Sequence, residues 1–279
     1  MKFCRKPLFN VLIALIGALG LYGCQTAPQK QAQNKILPPE TESALSEQLT
    51  ANIEKQYGKW NDKVVFETLN DMLRKIIEGE NDPELKTKLA GTEVRPLVTE
   101  TPLIAPGIYK VIYVSKGMVK FTSYENELSF ALSLAVSLLK SRETANRLTE
   151  LRGQEISQTV VSLPTAPVTK KPDPLEKNWF AIGGLFDFGK SNYLKAVREG
   201  VRLSYSANFD PRGALTFISR FEEDTRTEVL RKLFPASSDQ KVVVKEEISK
   251  LSPRKDPIVR SESYKVLQSK ASTKARTGK

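Results

Sequence analysis

The chain has 279 residues, 40 % of them hydrophobic and 27 % charged, which suits one large folded domain or two small ones and argues against disorder throughout. The net charge is +11, but the charges are dispersed, and the most basic stretch, residues 269–279, has no aromatics on which bases could stack. No nucleic-acid partner is therefore expected; the stretch reads as a solvated tail able to touch anionic lipid or an acidic partner. Histidine is absent, which removes the commonest general base, the usual zinc ligand and every Ser-His-Asp or Cys-His arrangement.

Taken in chain order, residues 1–23 read as a secretory signal, with Lys2, Arg5 and Lys6 ahead of an apolar run over residues 8–21. The run closes on Leu21, Tyr22, Gly23 and Cys24, which resembles the lipobox of bacterial lipoproteins. Tyr22 departs from the small residue most common there. The resemblance implies cleavage before Cys24, a diacylglycerol on its sulfur and acylation of the new amine. Gln25, where an Asp would suggest inner-membrane retention, implies an outer-membrane anchor facing the periplasm. An uncleaved signal anchor is the alternative, but the run is short for a span and a polar, proline-containing stretch follows. Lys2, Arg5 and Lys6 leave with the signal, so the mature chain keeps +8 of the +11. Cys4 leaves too and Cys24 is consumed by lipid, so no disulfide is expected even in an oxidising compartment.

Residues 24–39 read as a flexible tether. Helical periodicity follows over residues 40–77, with Ala44, Leu45, Leu49 and Ile53 on one face, then Val64, Val65, Leu69, Leu73, Ile76 and Ile77 on another. Asn61-Asp62 offers an N-cap for the second helix. Residues 91–119 turn β-branched, with residues 109–114 (YKVIYV) a strand. Residues 124–139 form the most apolar helix of the mature chain. Residues 154–177 hold four prolines and read as a long loop opening with a strand at 157–163. Helices are predicted again over 191–206, 211–222, 242–251 and 261–269. After the first apolar run no second long one follows, so no transmembrane bundle is expected.

In order and spacing these pieces resemble the HtpX-type zinc metallopeptidases, in particular the periplasmic branch that includes the β-barrel assembly-enhancing protease. Glu54-Lys55-Gln56-Tyr57-Gly58 and Asn61-Asp62 resemble the family's opening "QxG-x-Y-x-D-P". Ile104-Ala105-Pro106-Gly107 and residues 112–118 (IYVSKGM) resemble "ALPGG…IYVTRGLL", whose strand borders the substrate cleft. Glu125-Asn126-Glu127-Leu128 resembles the start of "ENELAAVLAHE-x-x-H". Gly200 and Asn208-Phe209-Asp210-Pro211-Arg212 resemble "EADxxG…AGYDPR", Phe234-Pro235 stands near the family's "HP", and residues 252–266 resemble its closing helix. The resemblance covers residues 40–268 and implies an α+β, mostly helical zincin-like fold with a small, mostly antiparallel sheet.

The same alignment removes the chemistry. Zinc peptidases need two histidines one helical turn apart with a glutamate between them as general base. Leu134 and Leu138 stand at the histidine positions, Ala135 at the glutamate, and Lys195 at or near the third ligand. Apolar replacement suits a buried helix, where unsatisfied polar groups cost stability. The reading is therefore a pseudopeptidase without catalytic residues, metal or cofactor.

Two shorter motifs compete. Residues 184–191 (GLFDFGKS) match the P-loop expression, but Phe186 and Phe188 are bulky where that loop must be small, and no βαβ series accompanies them; no nucleotide partner is expected. Ser137-Leu138-Leu139-Lys140 matches SxxK without its companion motifs, and the expression recurs at residues 238–241 and 252–255, as chance supplies.

The expected role is a structural, lipid-anchored subunit of a multiprotein envelope complex, such as the outer-membrane core of a type IV secretion system. Its emptied cleft and sheet edge would be suited to strand addition. That choice of complex rests on analogy. The alternatives are a chaperone-like quality-control factor for outer-membrane protein assembly and an enzyme with rebuilt chemistry.

Overall fold

The computed structural model describes residues 39–161 and 184–273; the expected signal, lipobox and tether up to residue 38, and the tail beyond residue 273, lie outside these. The fold is α+β and mostly helical, with one small three-stranded sheet. It opens with α1 (Pro39–Tyr57) and α2 (Lys63–Glu78). Asp62 caps α2 as expected, its carboxylate accepting from the Val64 and Val65 amides at 3.0 and 3.2 Å. The stripe Val65, Leu69, Met72, Leu73, Ile76 and Ile77 is buried, whereas Val64 is exposed. A short α3 (Pro83–Leu89) follows, started by Asp82 and by Pro83, whose missing N–H costs nothing there.

The sheet contains β1 (Glu93–Leu97), β2 (Ile104–Pro106) and β3 (Val111–Ser115), ordered β1-β3-β2. β2 and β3 form an antiparallel pair with Ala105 opposite Tyr113. β1 runs parallel to β3, Val94 facing Ile112. The sheet is thus mixed, and its longer pairing is parallel, which corrects the mostly antiparallel expectation. The apolar β2–β3 unit is visible in the sequence; the half-polar strand Glu93–Leu97, which pairs on the far side of β3, is not. β3 is buried throughout, and its alternation sorts two cores: Ile112 and Val114 face the larger, Val111 and Tyr113 the smaller, beneath α1. The Tyr113 hydroxyl lies 2.8 Å from that of Thr50 on α1.

The Ser115 side chain accepts from the Met118 amide and starts α4 (Lys116–Phe121), where β-branched residues had suggested more strand. Next come α5 (Glu125–Lys140) and α6 (Glu143–Val161). α6 overturns part of the loop and strand expected from residue 154 onward: its helix runs through Val161, and the rest of that stretch lies outside the described residues. A β-branched run at the end of a helix begun fourteen residues earlier reads, by itself, as a new strand. The remaining helices are α7 (Lys190–Ser206), α8 (Gly213–Glu223), a 3-10 turn (Thr225–Thr227), α9 (Glu228–Arg231), α10 (Ser237–Ile248) and α11 (Glu262–Ser272).

Helix α5 is the axis. Residues from Glu125 to Leu139 are all buried on it, against α2, α7, α8 and β2. A Cβ on Gly200 of α7 would stand 3.1 Å from the Leu134 Cα, so these two helices meet backbone to backbone. Among the described residues, no helix is long and apolar enough to cross a membrane.

Candidate functional site: an apolar cleft on helix α5

The two halves of α5 have different surroundings. The first half is polar, and each of its three leading side chains bonds to another segment, although the Asn126 Oδ1 has no hydrogen-bond partner among the described residues. Glu127 accepts from the Ser123 amide at 2.7 Å and from Arg220 Nη2 at 3.2 Å. Glu125 accepts from the Ser261 amide at 2.7 Å, and Asn126 Nδ2 donates to the Asp210 carbonyl at 3.2 Å. The Arg212 side chain hydrogen-bonds the Asp210 carboxyl and holds it below the usual carboxylate range.

The second half is apolar and forms the floor of a cleft with a cavity volume of about 50 Å³. Ala131, Leu134, Ala135 and Leu138 make that floor. One wall is β2 with Pro102 and Leu103; the opposite wall is Phe217, Ile218 and Phe221 of α8 with Leu230, Leu233 and Phe234 beyond it. Phe186, Phe188 and Tyr193 close one end. Edge-on and tilted ring contacts stiffen the walls: Phe221 to Phe234 at 5.1 Å, Tyr193 to Phe234 at 4.8 Å and Phe130 to Phe217 at 5.7 Å between centroids. None of the lining residues is charged, and the one amide among them, Gln240, donates to the Pro235 carbonyl at 2.8 Å. Burial pushes the Tyr193 hydroxyl up, so it stays neutral. A volume above the 10–15 Å³ or so that one water needs, with scarcely a polar partner, suits an apolar side chain better than ordered water.

The cleft brings together Leu134, Ala135 and Leu138, the positions at which the family resemblance places two metal ligands and the general base. It does not bring in Lys195. That lysine is exposed on α7, where its charge acts on Glu143, and Tyr193 reaches the cleft instead. Two residues along a helix turn a side chain through about 200°, so both cannot face α5. Sequence reasoning also missed most of the walls. Phe217 and Phe221 share a face at i and i+4, a readable signal; Phe186 and Phe188 sit in an irregular segment and carry none.

The wall at β2 is a sheet edge, and a narrow one. Ser115 N–H bonds to the Leu103 carbonyl and Gly107 N–H to that of Val111, so odd-numbered residues face β3 and Ile104 points its backbone the other way. Pro106 has no N–H, and its carbonyl accepts from Thr144. An added strand would therefore find one residue's donor and acceptor, at Ile104, and little more.

The competing motifs are absorbed into packing. Phe186 of the glycine-rich segment is buried, and Lys190 pairs with Asp239 at 2.7 Å. Ser137 is buried, while Lys140 bridges Glu80 and Glu199 at 2.8 and 2.9 Å. Among the described residues, no three His, Cys, Asp or Glu side chains gather as a metal site would require. Compared with known proteins, the chain matches no family model and no curated sequence.

Proposed function

We propose that this protein is a zincin-like pseudopeptidase, anchored at the outer membrane through a lipid on Cys24 and facing the periplasm, that serves without metal or cofactor as a scaffold subunit of an envelope protein complex. A secretion-system core, type IV for instance, is the candidate assembly. The observation that supports this reading most is the cleft itself: Leu134, Ala135 and Leu138, the positions that the family resemblance aligns with two zinc ligands and the general base, share one apolar floor. A chain without histidine offers no replacement ligands of the usual kind. What such a cleft recognises is a bulky apolar side chain on an extended partner segment, steadied by the Ile104 backbone at the neighbouring edge. Recognition then rests on a filled pocket rather than on a long strand ladder, because the prolines around β2 shorten the edge.

Extraction of the native protein from membranes in mild detergent, followed by sizing, mass spectrometry and metal analysis of the same peak, tests the reading. A large assembly of fixed composition without zinc is the expected result, and Ala135→Leu, which fills the cleft, should release the protein from it. A monomer with stoichiometric zinc would sink the proposal. Substoichiometric contact with unfolded barrels would replace the scaffold with the chaperone-like factor.

A further inference from the structure

On the far side of β1 from β3 a second cleft opens, and unlike the first it carries charged side chains among its lining residues. Its volume is about 310 Å³, and Lys59, Trp60, Lys63, Phe66 and Arg95 line it together with Asp62. The backbone here is fixed by the sheet: the Trp60 amide donates to the Pro96 carbonyl at 2.9 Å, and Lys59 forms a bridge to Leu97. Phe66 is 39 % exposed, although it belongs to a helix with a well-buried stripe on another face. The lysines are only loosely neutralised, whereas Arg95 is paired. Lys59 has no ion-pair partner among the described residues, and Lys63 reaches Glu67 only at 3.7 Å with its side chain 86 % exposed. Arg95 pairs with Glu93 through one terminal nitrogen, at 2.5 Å, while its Nε is buried without a hydrogen-bond partner among the described residues. The single acid of the rim, Asp62, is already held by two α2 amides and by Lys270 at 3.0 Å.

From this combination we propose that the Lys59–Arg95 cleft is a docking surface for the anionic headgroups of the membrane. Cations at phosphate depth beside a part-exposed Trp and Phe match the layering of a lipid interface, where amphipathic rings sit at headgroup level and basic side chains meet the negative surface. An acidic protein surface would satisfy the lysines but leave Phe66 without a partner. The Lys270–Asp62 pair adds a further cation, from the last turns of α11, to this rim. The inference draws on the lipoprotein reading for proximity, since the stretch from Cys24 to Pro39 extends at most about 50 Å and keeps the domain near the lipid.

The test uses the full chain with Trp179→Phe, which leaves Trp60 as the sole tryptophan. Its fluorescence is followed in vesicles with brominated acyl chains, made of phosphatidylcholine alone or mixed with phosphatidylglycerol. Quenching should appear in the anionic vesicles and fade in high salt. The docked fraction should fall about tenfold or more in Lys59→Glu/Lys63→Glu, both exposed positions whose replacement leaves the core untouched. Equal quenching in both vesicle types, or quenching that survives the charge reversal, would overturn the proposal. So would a Trp60 signal that ignores vesicles and answers to a polyglutamate peptide, which would assign the surface to an acidic protein. Flotation with the phosphatidylcholine vesicles reports the anchor separately: a chain that does not float loses the lipoprotein reading, while the quenching comparison still decides the docking.

Discussion

The first and second halves of α5 are equally buried yet hold opposite kinds of residue. From Glu125 to Glu127 three polar side chains are embedded and each is bonded to a distant segment: the turn before α5, α8, the strand-like Asp210 region and the start of α11. From Ala131 to Leu138 the cleft-facing positions are alkyl and bond to nothing. The half that ties α5 to its neighbours is polar, and the cleft-facing positions of the other half are all alkyl. A buried polar group survives where it has partners, and an apolar one serves where a partner would be missing.

The largest effect should come from breaking the first half. Glu127→Ala strands the part-buried Ser123 amide and takes the partner from the half-exposed Arg220 guanidinium, and it should lower stability by about 2–3 kcal/mol in urea denaturation. In the second half, Leu138→Ala enlarges a cleft that already exists, so its cost should sit near the bottom of the range for buried leucines, about 2 kcal/mol, measured the same way. If Leu138→Ala cost more than Glu127→Ala, the division between the halves would be wrong.

Much of this division was legible in the sequence. The apolar stripe of α5, the Asp62 cap and the strand expected at residues 109–114 follow from local spacing and capping chemistry; the strand runs Val111–Ser115, because Tyr109 and Lys110 form a bend with Lys110 at φ 48°. What could not be read depends on contacts between distant segments. The parallel partner of β3 is a half-polar strand, Glu93–Leu97, whose burial comes only with the assembled sheet. The face on which Lys195 falls depends on how α7 rolls against α5, which the close approach at Gly200 sets. Lining by Phe186, Phe188 and Phe234 requires two separate loops to converge, and no local pattern announces that.

Acid probes the far end of α5. Burial pushes the Glu80 carboxyl up, but hydrogen bonds and charge from Lys140 outweigh it and hold the group below the ordinary value; Glu247 is held down in the same way, chiefly by Arg202. A carboxyl lowered by folding contributes stability that is full above its unfolded value, about pH 4.5, and is lost as pH falls through the lower folded value. Thermal stability should therefore be flat near neutrality and decline below about pH 4.5. Lys140→Met should shallow that decline by removing the partner of Glu80.

The smallest effect comes from an exception to this division. Ser133 on α5 is fully buried, and its hydroxyl has no hydrogen-bond partner among the described residues. Ser133→Ala should leave the melting temperature unchanged or raise it by a degree or two, a gain of up to about 1 kcal/mol.

The most direct test of the central claim, that the apolar cleft on α5 is where a partner binds, is photo-crosslinking in living cells. Benzoylphenylalanine replaces Phe234 in the cleft wall in one strain and Lys195 on the outer face of α7 in another. The account predicts a discrete adduct with an envelope protein from position 234 and none from position 195. An adduct from position 195 alone, or from neither position while the assembly remains intact, would contradict it.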